Sequence, residues 1–191
     1  DINEDKLIDS YKFRHIKGSN LIALEHPWYN KGLFQEGVNN LPNWIILFLR
    51  DRFINNAKKF NNSEYIYIDR SDSVFNRCKL INNDEIIHIL AKNGFKSYKV
   101  SELNFYEQIY LFNKAKVIIG PHGAAFSNLI FSNKNLKLFE IIPSDHLSLK
   151  CKNFSNVLGF KYNRFMLDRV ANKNGDMILD KEKLELILNS I

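Results

Sequence analysis

Cysteine is scarce in this chain of 191 residues. Its two cysteines, Cys78 and Cys151, lie far apart, with no C-x-x-C pair and no cysteine–histidine cluster. Zinc sites need such clusters at short spacings, and disulfide frameworks need several cysteines. The sequence therefore predicts two buried free thiols and argues against a zinc site or a disulfide framework.

Long apolar runs and clusters of positive charge are missing as well. No stretch approaches the ~20 apolar residues that span a bilayer. A net charge of +6 and a pI near 9.2 favour anionic ligands, and a nucleoside diphosphate is a sufficient partner for this basicity. Because the lysines are scattered, no nucleic acid partner is expected. The chain begins with Asp1 and not with Met, so its lack of a signal peptide says little about compartment.

What the sequence does contain, from Glu64 on, is an alternation of strands and helices. The predicted strands are Glu64–Asp69, Phe95–Val100, Val117–Ile119, Leu136–Ile142 and Phe160–Phe165, with an earlier one at Leu21–Leu24. The predicted helices follow Asn40–Pro42 to about Asn56, then Asp84–Lys92, Phe105–Lys114, a short one from Ala124, His146–Val157 and Lys181–Ile191. This order predicts a doubly wound, mainly parallel α/β sheet. No G-x-G-x-x-G follows any strand, which argues against a dehydrogenase.

The central stretch runs from Ala115 to Pro143 and reads AKVIIGPHGAAFSNLIFSNKNLKLFEIIP. The apolar run VII is typical of a buried strand, the turn GPHG breaks it, and the pattern then becomes helical from Ala124. A second apolar strand ends at Pro143. Such a unit of strand, turn, helix and strand places ligands at the carboxyl ends of parallel strands.

Three residues make this stretch a candidate phosphate site. A helix that begins after Gly123 presents unpaired N–H groups and a positive dipole end, and glycine lets a ligand approach the backbone. His122 can donate to an anionic oxygen, and Glu140 can accept hydrogen bonds from a ribose. The alternative is an ordinary turn in which His122 caps the helix and Glu140 is a solvated strand end.

Two arginines follow another predicted strand. Arg70 comes directly after it and should lie at the same sheet edge as His122 and Glu140, and Arg77 lies one short loop further on. Guanidinium groups bind phosphate with a rigid bidentate fork. The alternative is that Arg70 pairs with Asp72 and Arg77 is a surface residue. The convergence of strand-end residues with a helix N-terminus favours a diphosphate pocket.

Several segments resemble glycosyltransferase family 61, which includes plant xylan-decorating enzymes and bacterial capsule enzymes. They are YIDR at Tyr67–Arg70, RCKLINNDEI at Arg77–Ile86, YEQIYLFNKAKVIIGPHGAAFSNLIF at Tyr106–Phe131 and FEIIP at Phe139–Pro143. The third segment is similar to the family's E-Q … A … I-x-G-x-H-G-A-G-x-x-N, and together with the closing FEIIP it agrees with the family in order and spacing. The resemblance covers roughly residues 41–143. Ala125 stands where the family often has Gly. Asn83 stands where it usually has Glu, so no acid role is carried over to that position.

The resemblance implies a GT-B-like architecture of two Rossmann-like halves, of which this chain looks like the C-terminal, nucleotide-binding one. We expect residues 1–60 to be an extension left from the acceptor-side half, with one apolar helix, and residues 61–191 to be the Rossmann-like nucleotide-sugar-binding domain. The family likeness also implies inverting transfer without a metal. No D-x-D motif lies near the site, so cationic side chains and a helix dipole would stabilise the leaving diphosphate.

The resemblance and the strand-end positions together predict a donor site. Its predicted members are Arg70, Arg77, His122, Gly123 and Ala124 on the pyrophosphate, Asn128 one turn into the helix, and Glu140 on the ribose. An inverting mechanism also needs a base for the acceptor hydroxyl. Asp72, Glu36 and His26 are candidates for that base, and none of them is assigned.

The predicted function is that of a hexosyl- or pentosyltransferase with a UDP-linked donor and a glycan or other hydroxyl acceptor, as in capsule and polysaccharide biosynthesis. The alternatives are a nucleotide- or glycan-binding module without turnover and an incomplete half of a two-domain enzyme. No cofactor other than the donor and no metal are expected. The apolar helix after Pro42 could suit a membrane surface, although a core helix is the stronger interpretation. The predicted compartment is the cytoplasm, or the secretory pathway for a eukaryotic chain.

Overall fold

The computed structural model of the chain describes Lys12, His15, Gly37 and residues 17–20, 39–73, 78–171 and 175–191. Its strands form one sheet of five: β1 Tyr65–Ile68, β2 Lys96–Tyr98, β3 Val117–Pro121, β4 Lys137–Pro143 and β5 Lys161–Leu167. The helices on its faces are α1 Asn43–Phe53, α2 Asn83–Lys92, α3 Phe105–Lys114, α4 Lys150–Leu158 and α5 Lys181–Asn189. Short 3₁₀ helices span Ile54–Asn56, Val100–Glu102 and Ala124–Phe131.

All strand pairs of this sheet are parallel, and the strand order is β2-β1-β3-β4-β5. The predicted α/β class with a Rossmann-like arrangement is therefore confirmed. In a sheet of this order the chain leaves β1 toward one edge and continues from β3 toward the other. The carboxyl ends of β1 and β3 border a topological switch point, which is the place where open α/β sheets bind ligands.

The sheet separates two hydrophobic cores. Helices α1, α3 and α4 and the 3₁₀ helix Ala124–Phe131 cover one face, and α2 and α5 cover the other. Strands β3 and β4 are almost entirely buried, which explains why both are continuous apolar runs rather than alternating ones. Ile46 of α1 is fully buried in the first core, so α1 packs on the same sheet as the residues after position 60. The predicted boundary at residue 60 stays a prediction.

The element boundaries differ from the sequence-based ones in a few places. The segment after Gly123 is a 3₁₀ helix, not an α-helix. Helix α4 begins at Lys150, four residues later than predicted from His146. Helix α1 begins directly after Pro42, which has no side chain that could cap it. The strand predicted at Leu21–Leu24 lies outside the described residues.

Two expectations from the sequence concern the free cysteines and the lack of an apolar run long enough to span a bilayer. Cys78 and Cys151 are both free and buried, as the sequence predicts. In the part of the chain that the structure describes, no helix combines the length and the apolar character required to cross a bilayer.

Candidate functional site

The candidate site lies at the carboxyl end of the sheet, around the switch point. Arg70 follows β1, His122 and Gly123 follow β3, and Glu140 lies within β4. The ends of β1 and β3 approach each other closely because Gly120 has no side chain: a Cβ there would lie 2.9 Å from Cβ of Ile68. The structure thus brings the segments after these two strands together.

The tightest contact of the site is between Arg70 and Gly123. A Cβ atom at Gly123 would lie 1.2 Å from Nη1 of Arg70 and 2.4 Å from its Cζ. Because the backbone of Gly123 is extended, with φ near 179°, this glycine supplies space and not an unusual conformation. The guanidinium therefore fills the space beside Gly123 that was expected to admit a ligand. Its positive charge lies at the turn after β3.

The guanidinium of Arg70 is held in place and partly removed from water. Its Nη2 donates to Oγ of Ser73 at 3.2 Å. Burial lowers the pKa of Arg70, and the nearby Cys78 and Asp72 oppose this shift. A partly dehydrated cation attracts an anion more strongly than one in bulk water does, because the local dielectric constant is lower. Arg70 is suited to bind phosphate.

A cavity of about 360 Å³ opens beside Arg70. Its lining comes from the segments after β1, β2 and β3: Asp69, Arg70, Asp72, Ser73, Val100, Ser101, Gln108, Ala124, Ala125 and Asn128. The predicted residues Arg70, Ala124 and Asn128 thus border one space. It is large enough for part of a nucleotide sugar, since ligand pockets span roughly 300–1,000 Å³.

Gln108 of α3 connects the parts of this cavity, and the sequence analysis did not single it out. Its Oε1 accepts a hydrogen bond from Nδ2 of Asn128 at 2.9 Å. Its Nε2 donates to the carbonyl oxygens of Val100 at 3.1 Å and Leu103 at 2.9 Å. Asn128 is consequently buttressed by α3. The sequence signal for this role is that Gln108 is the Gln of the family's E-Q pair, in the first half of a predicted amphipathic helix.

Lys150 is a second cation at the turn after β3, and the sequence did not predict it. Its Nζ donates to the carbonyl oxygen of Gly123 at 3.1 Å and lies 3.5 Å from Oγ of Ser127. Burial lowers the pKa of Lys150, and the charge of Arg70 acts in the same direction. Lys150 comes from the first turn of α4, so nothing in the local sequence shows that it reaches the turn after β3.

His122 and Glu140 form a partly buried polar contact at the site. Nδ1 of His122 lies 2.5 Å from Oε1 of Glu140, whose side chain is only 1% exposed. The same carboxylate accepts from Sγ of Cys151 at 3.0 Å and from the hydroxyl of Tyr162 at 2.6 Å. Burial alone would raise the pKa of Glu140, but these donors and the charge of His122 lower it overall. A ribose would have to displace one of three donors, so the ribose role stays a prediction.

A second histidine packs beside His122. The ring centroids of His122 and His146 are 4.4 Å apart. Burial, followed by the charges of His122 and Arg169, lowers the pKa of His146 to about 4, so its ring is neutral at pH 7. Its Nδ1 accepts a hydrogen bond from the backbone N–H of Ser148 at 3.2 Å, which places the proton on Nε2. His146 is thus a neutral hydrogen-bond donor next to the site.

The remaining predicted residues have mixed outcomes. Asp72 borders the cavity, where its carboxylate accepts a hydrogen bond from Ser101. Arg77, Glu36 and His26 lie outside the described residues, so their predicted roles stay predictions.

Asn83, which replaces the family's usual Glu, lies outside the lining of that cavity. It accepts a hydrogen bond from the hydroxyl of Tyr67 at 2.7 Å and donates to Asp69 at 3.0 Å. It thereby fixes the end of β1, a structural role for which an amide suffices.

One group in the described part of the chain has the residue types of a metal site. The ligand atoms of His122, Glu140 and Cys151 all lie within 4.8 Å of one another. They are hydrogen-bonded to each other, at 2.5 Å and 3.0 Å. Ligands of a tetrahedral zinc ion, at about 2.0–2.3 Å from the metal, lie roughly 3.3–3.8 Å apart. Zinc would have to separate these atoms and replace their shared protons. The expectation of a metal-independent site stays a prediction.

Fold and site together define a class: an α/β protein with a Rossmann-like parallel sheet and a cationic cleft at its switch point. The family model Glycosyltransferase 61 matches residues 6–139, which is more than half of the chain. The chain therefore belongs to glycosyltransferase family 61, and the resemblance seen in its motifs is confirmed. A comparison with curated proteins finds no match.

Proposed function

We propose that the chain transfers a sugar from a nucleotide-sugar donor, of the UDP-linked kind, to a hydroxyl group of a glycan acceptor. The observation that carries the proposal is the seating of the Arg70 guanidinium against Gly123, with Lys150 on the same turn. Two cations at the switch point of a parallel sheet suit a diphosphate, which needs fixed positive charge. Membership of family 61 supplies the reaction class.

In this proposal each donor-site residue has a defined task. Arg70 and His122 bind the pyrophosphate together with the N–H groups of Gly123 and Ala124, and Lys150 adds positive charge to the leaving diphosphate. Asn128 orients the donor from the wall of the cavity. Because the 3₁₀ helix after Gly123 has poorer hydrogen-bond geometry than an α-helix, the side-chain cations provide more of the stabilisation than its dipole does. Arg77 remains a proposed phosphate ligand.

The proposal also includes transfer with inversion, no bound metal, and a GT-B-like cleft between donor and acceptor. Asp72 is the base candidate that the structure describes, and its position on the cavity wall supports keeping it. The same proposal includes a transferred hexose or pentose, a capsule-type glycan acceptor and a cytoplasmic location, which rest on the family alone. It also includes contact with a membrane surface, which rests on the apolar sequence of α1. A binding module without turnover is the second candidate, favoured by the hydrogen bond that already engages the Asp72 carboxylate.

The test is release of nucleoside diphosphate from UDP-hexoses and UDP-pentoses, with and without oligosaccharide acceptors and with and without EDTA. The proposal predicts acceptor-dependent release that EDTA does not reduce and that falls at least tenfold in Arg70→Ala. Arg52→Ala is the matched control, since Arg52 is exposed on α1. Donor binding without any release would favour the binding module. Activity that EDTA abolishes and zinc or manganese restores would contradict the metal-independent mechanism.

A further inference from the structure

Glu140 is the buried acid of strand β4. Leu138, Phe139, Ile141 and Ile142 around it are all fully buried and apolar. An ionised carboxylate in such surroundings costs several kcal/mol unless hydrogen bonds and opposite charge compensate it. The fold provides three hydrogen-bond donors and the charge of His122 as compensation. We take this as a sign that the carboxylate holds the residues that it contacts in place.

The partners of Glu140 come from three other parts of the fold. His122 lies on the turn after β3, Cys151 lies in α4, and Tyr162 lies in β5. Cys151 is 1% exposed, whereas 12% of the His122 side chain is exposed and its neighbour Gly123 contacts Arg70. Of the three, His122 is the partner through which Glu140 acts on the cationic site.

The His122 ring is restrained on several sides. Its Nδ1 is engaged by Glu140, and its backbone N–H donates to the carbonyl oxygen of Ile141 at 2.7 Å. The ring of His146 packs against it at 4.4 Å. Since Nδ1 is occupied, Nε2 is the ring nitrogen left for a ligand. The ring is therefore held in a fixed orientation, with Nδ1 on Glu140 and Nε2 facing away from it, before any ligand binds.

The contact between Glu140 and His122 also offsets positive charge near the His122 ring. Three cations lie on the neighbours of His122: Arg70 and Lys150 contact Gly123, and Arg164 donates to the carbonyl oxygen of His146. The titratable groups nearby are His146, which packs on the ring, and Cys151 and Tyr162, which share Glu140 with it. A further positive charge on His122 would be repelled by these cations. The carboxylate 2.5 Å from Nδ1 offsets that repulsion, and the lowered pKa of Glu140 agrees with this pairing.

We propose that Glu140 is a positioning residue of the donor site, which holds His122 through Nδ1 so that Nε2–H donates to a diphosphate oxygen. This inference rests on the proposed function and replaces direct ribose binding as the task of Glu140. In the complex both ring nitrogens of His122 carry protons, one donated to Glu140 and the other to the anion, so a neutral ring takes up one proton from solvent when the anion binds. The hydrogen bond between Glu140 and His122 makes the histidine a preorganised donor.

The test is calorimetric binding of inorganic pyrophosphate and of UDP to the unmutated chain, Glu140→Gln, His122→Ala and the double variant. We expect each single variant to weaken binding about tenfold and the double variant to be no weaker than His122→Ala, because the two residues act as one unit. Tyr162→Phe is the control: it also removes a donor to Glu140 and should destabilise the fold while changing affinity less than twofold.

The outcomes separate this inference from the proposed function. If the unmutated chain binds UDP and Glu140→Gln binds it equally well, or if the losses in the double variant add, Glu140 does not act through His122 and the inference is overturned alone. If the unmutated chain binds neither ligand, both proposals fail. Nitrogen NMR of the unmutated chain with pyrophosphate needs no variant to fold: protons on both His122 nitrogens support the inference, and a proton on one only contradicts it.

Discussion

At the scale of single residues, the site combines groups whose charge depends on their neighbours. His146 is the clearest example, because its partly buried ring packs against that of His122 and feels the positive charge of Arg169. Burial and the nearby positive charges keep its ring neutral, and the pKa of about 4 lies well below the ordinary 6.5. This difference between the folded and the unfolded chain makes stability depend on pH.

His146 should lower the stability of the folded chain between pH 6.5 and pH 4. In this window the unfolded chain binds a proton at His146 and the folded chain does not, so the free energy of unfolding decreases as the pH falls. The contribution is fully present above pH 6.5. The difference in pKa alone corresponds to about 3 kcal/mol, and solvent screening of the partly exposed ring reduces it to on the order of 1–2 kcal/mol. Urea unfolding at several pH values should show a shallower decrease in His146→Gln. His88→Gln is the control, because His88 is an exposed residue of α2. If the free energy of unfolding falls with pH as steeply in His146→Gln as in His88→Gln, the assignment is contradicted.

Some of these residues could be predicted from the sequence and others could not. Arg70, His122 and Gly123 follow strands, so the parallel-sheet pattern alone places them at one edge. Lys150 reaches Gly123 across 27 positions of sequence, and this depends on how α4 packs on the sheet. The sequence also did not predict the burial of Glu140, since an acid near a strand end is equally compatible with solvent exposure.

At the scale of helices and strands, the site depends on the close approach of the segments after β1 and β3. Hydrophobic periodicity predicts both strands, because buried parallel strands are short apolar runs. It does not distinguish the 3₁₀ helix Ala124–Phe131 from an α-helix, since both bury residues three or four positions apart. That choice is made by tertiary packing, through contacts such as the hydrogen bond between Gln108 and Asn128.

Gly123→Ala tests the approach of these two segments. The added methyl group would overlap the guanidinium of Arg70, which must leave its position on the turn. We expect at least a tenfold loss of affinity for UDP, while the melting temperature changes little because the extended backbone of Gly123 accepts alanine. Titration calorimetry measures the loss. The variant with both Gly123→Ala and Arg70→Ala should bind no more weakly than Arg70→Ala, and fully additive losses would show that the glycine acts independently of Arg70.

At the scale of the whole molecule, one sheet carries both the core and the candidate site. The order β2-β1-β3-β4-β5 creates a switch point between β1 and β3, and the cations Arg70 and Lys150 gather there. Membership of family 61 agrees with this architecture. The alternation of strands and helices predicted the fold class, but strand order follows from crossovers that no local pattern specifies.

The measurement that tests the account most directly is titration calorimetry of the unmutated chain with UDP, GDP, CMP and NAD, each with and without EDTA. The account predicts binding of one nucleoside diphosphate, unaffected by EDTA, at least tenfold weaker in Arg70→Ala and unchanged in Arg52→Ala. A chain that binds none of these nucleotides at millimolar concentration, or that binds one equally well after Arg70→Ala, would contradict a donor site at this switch point.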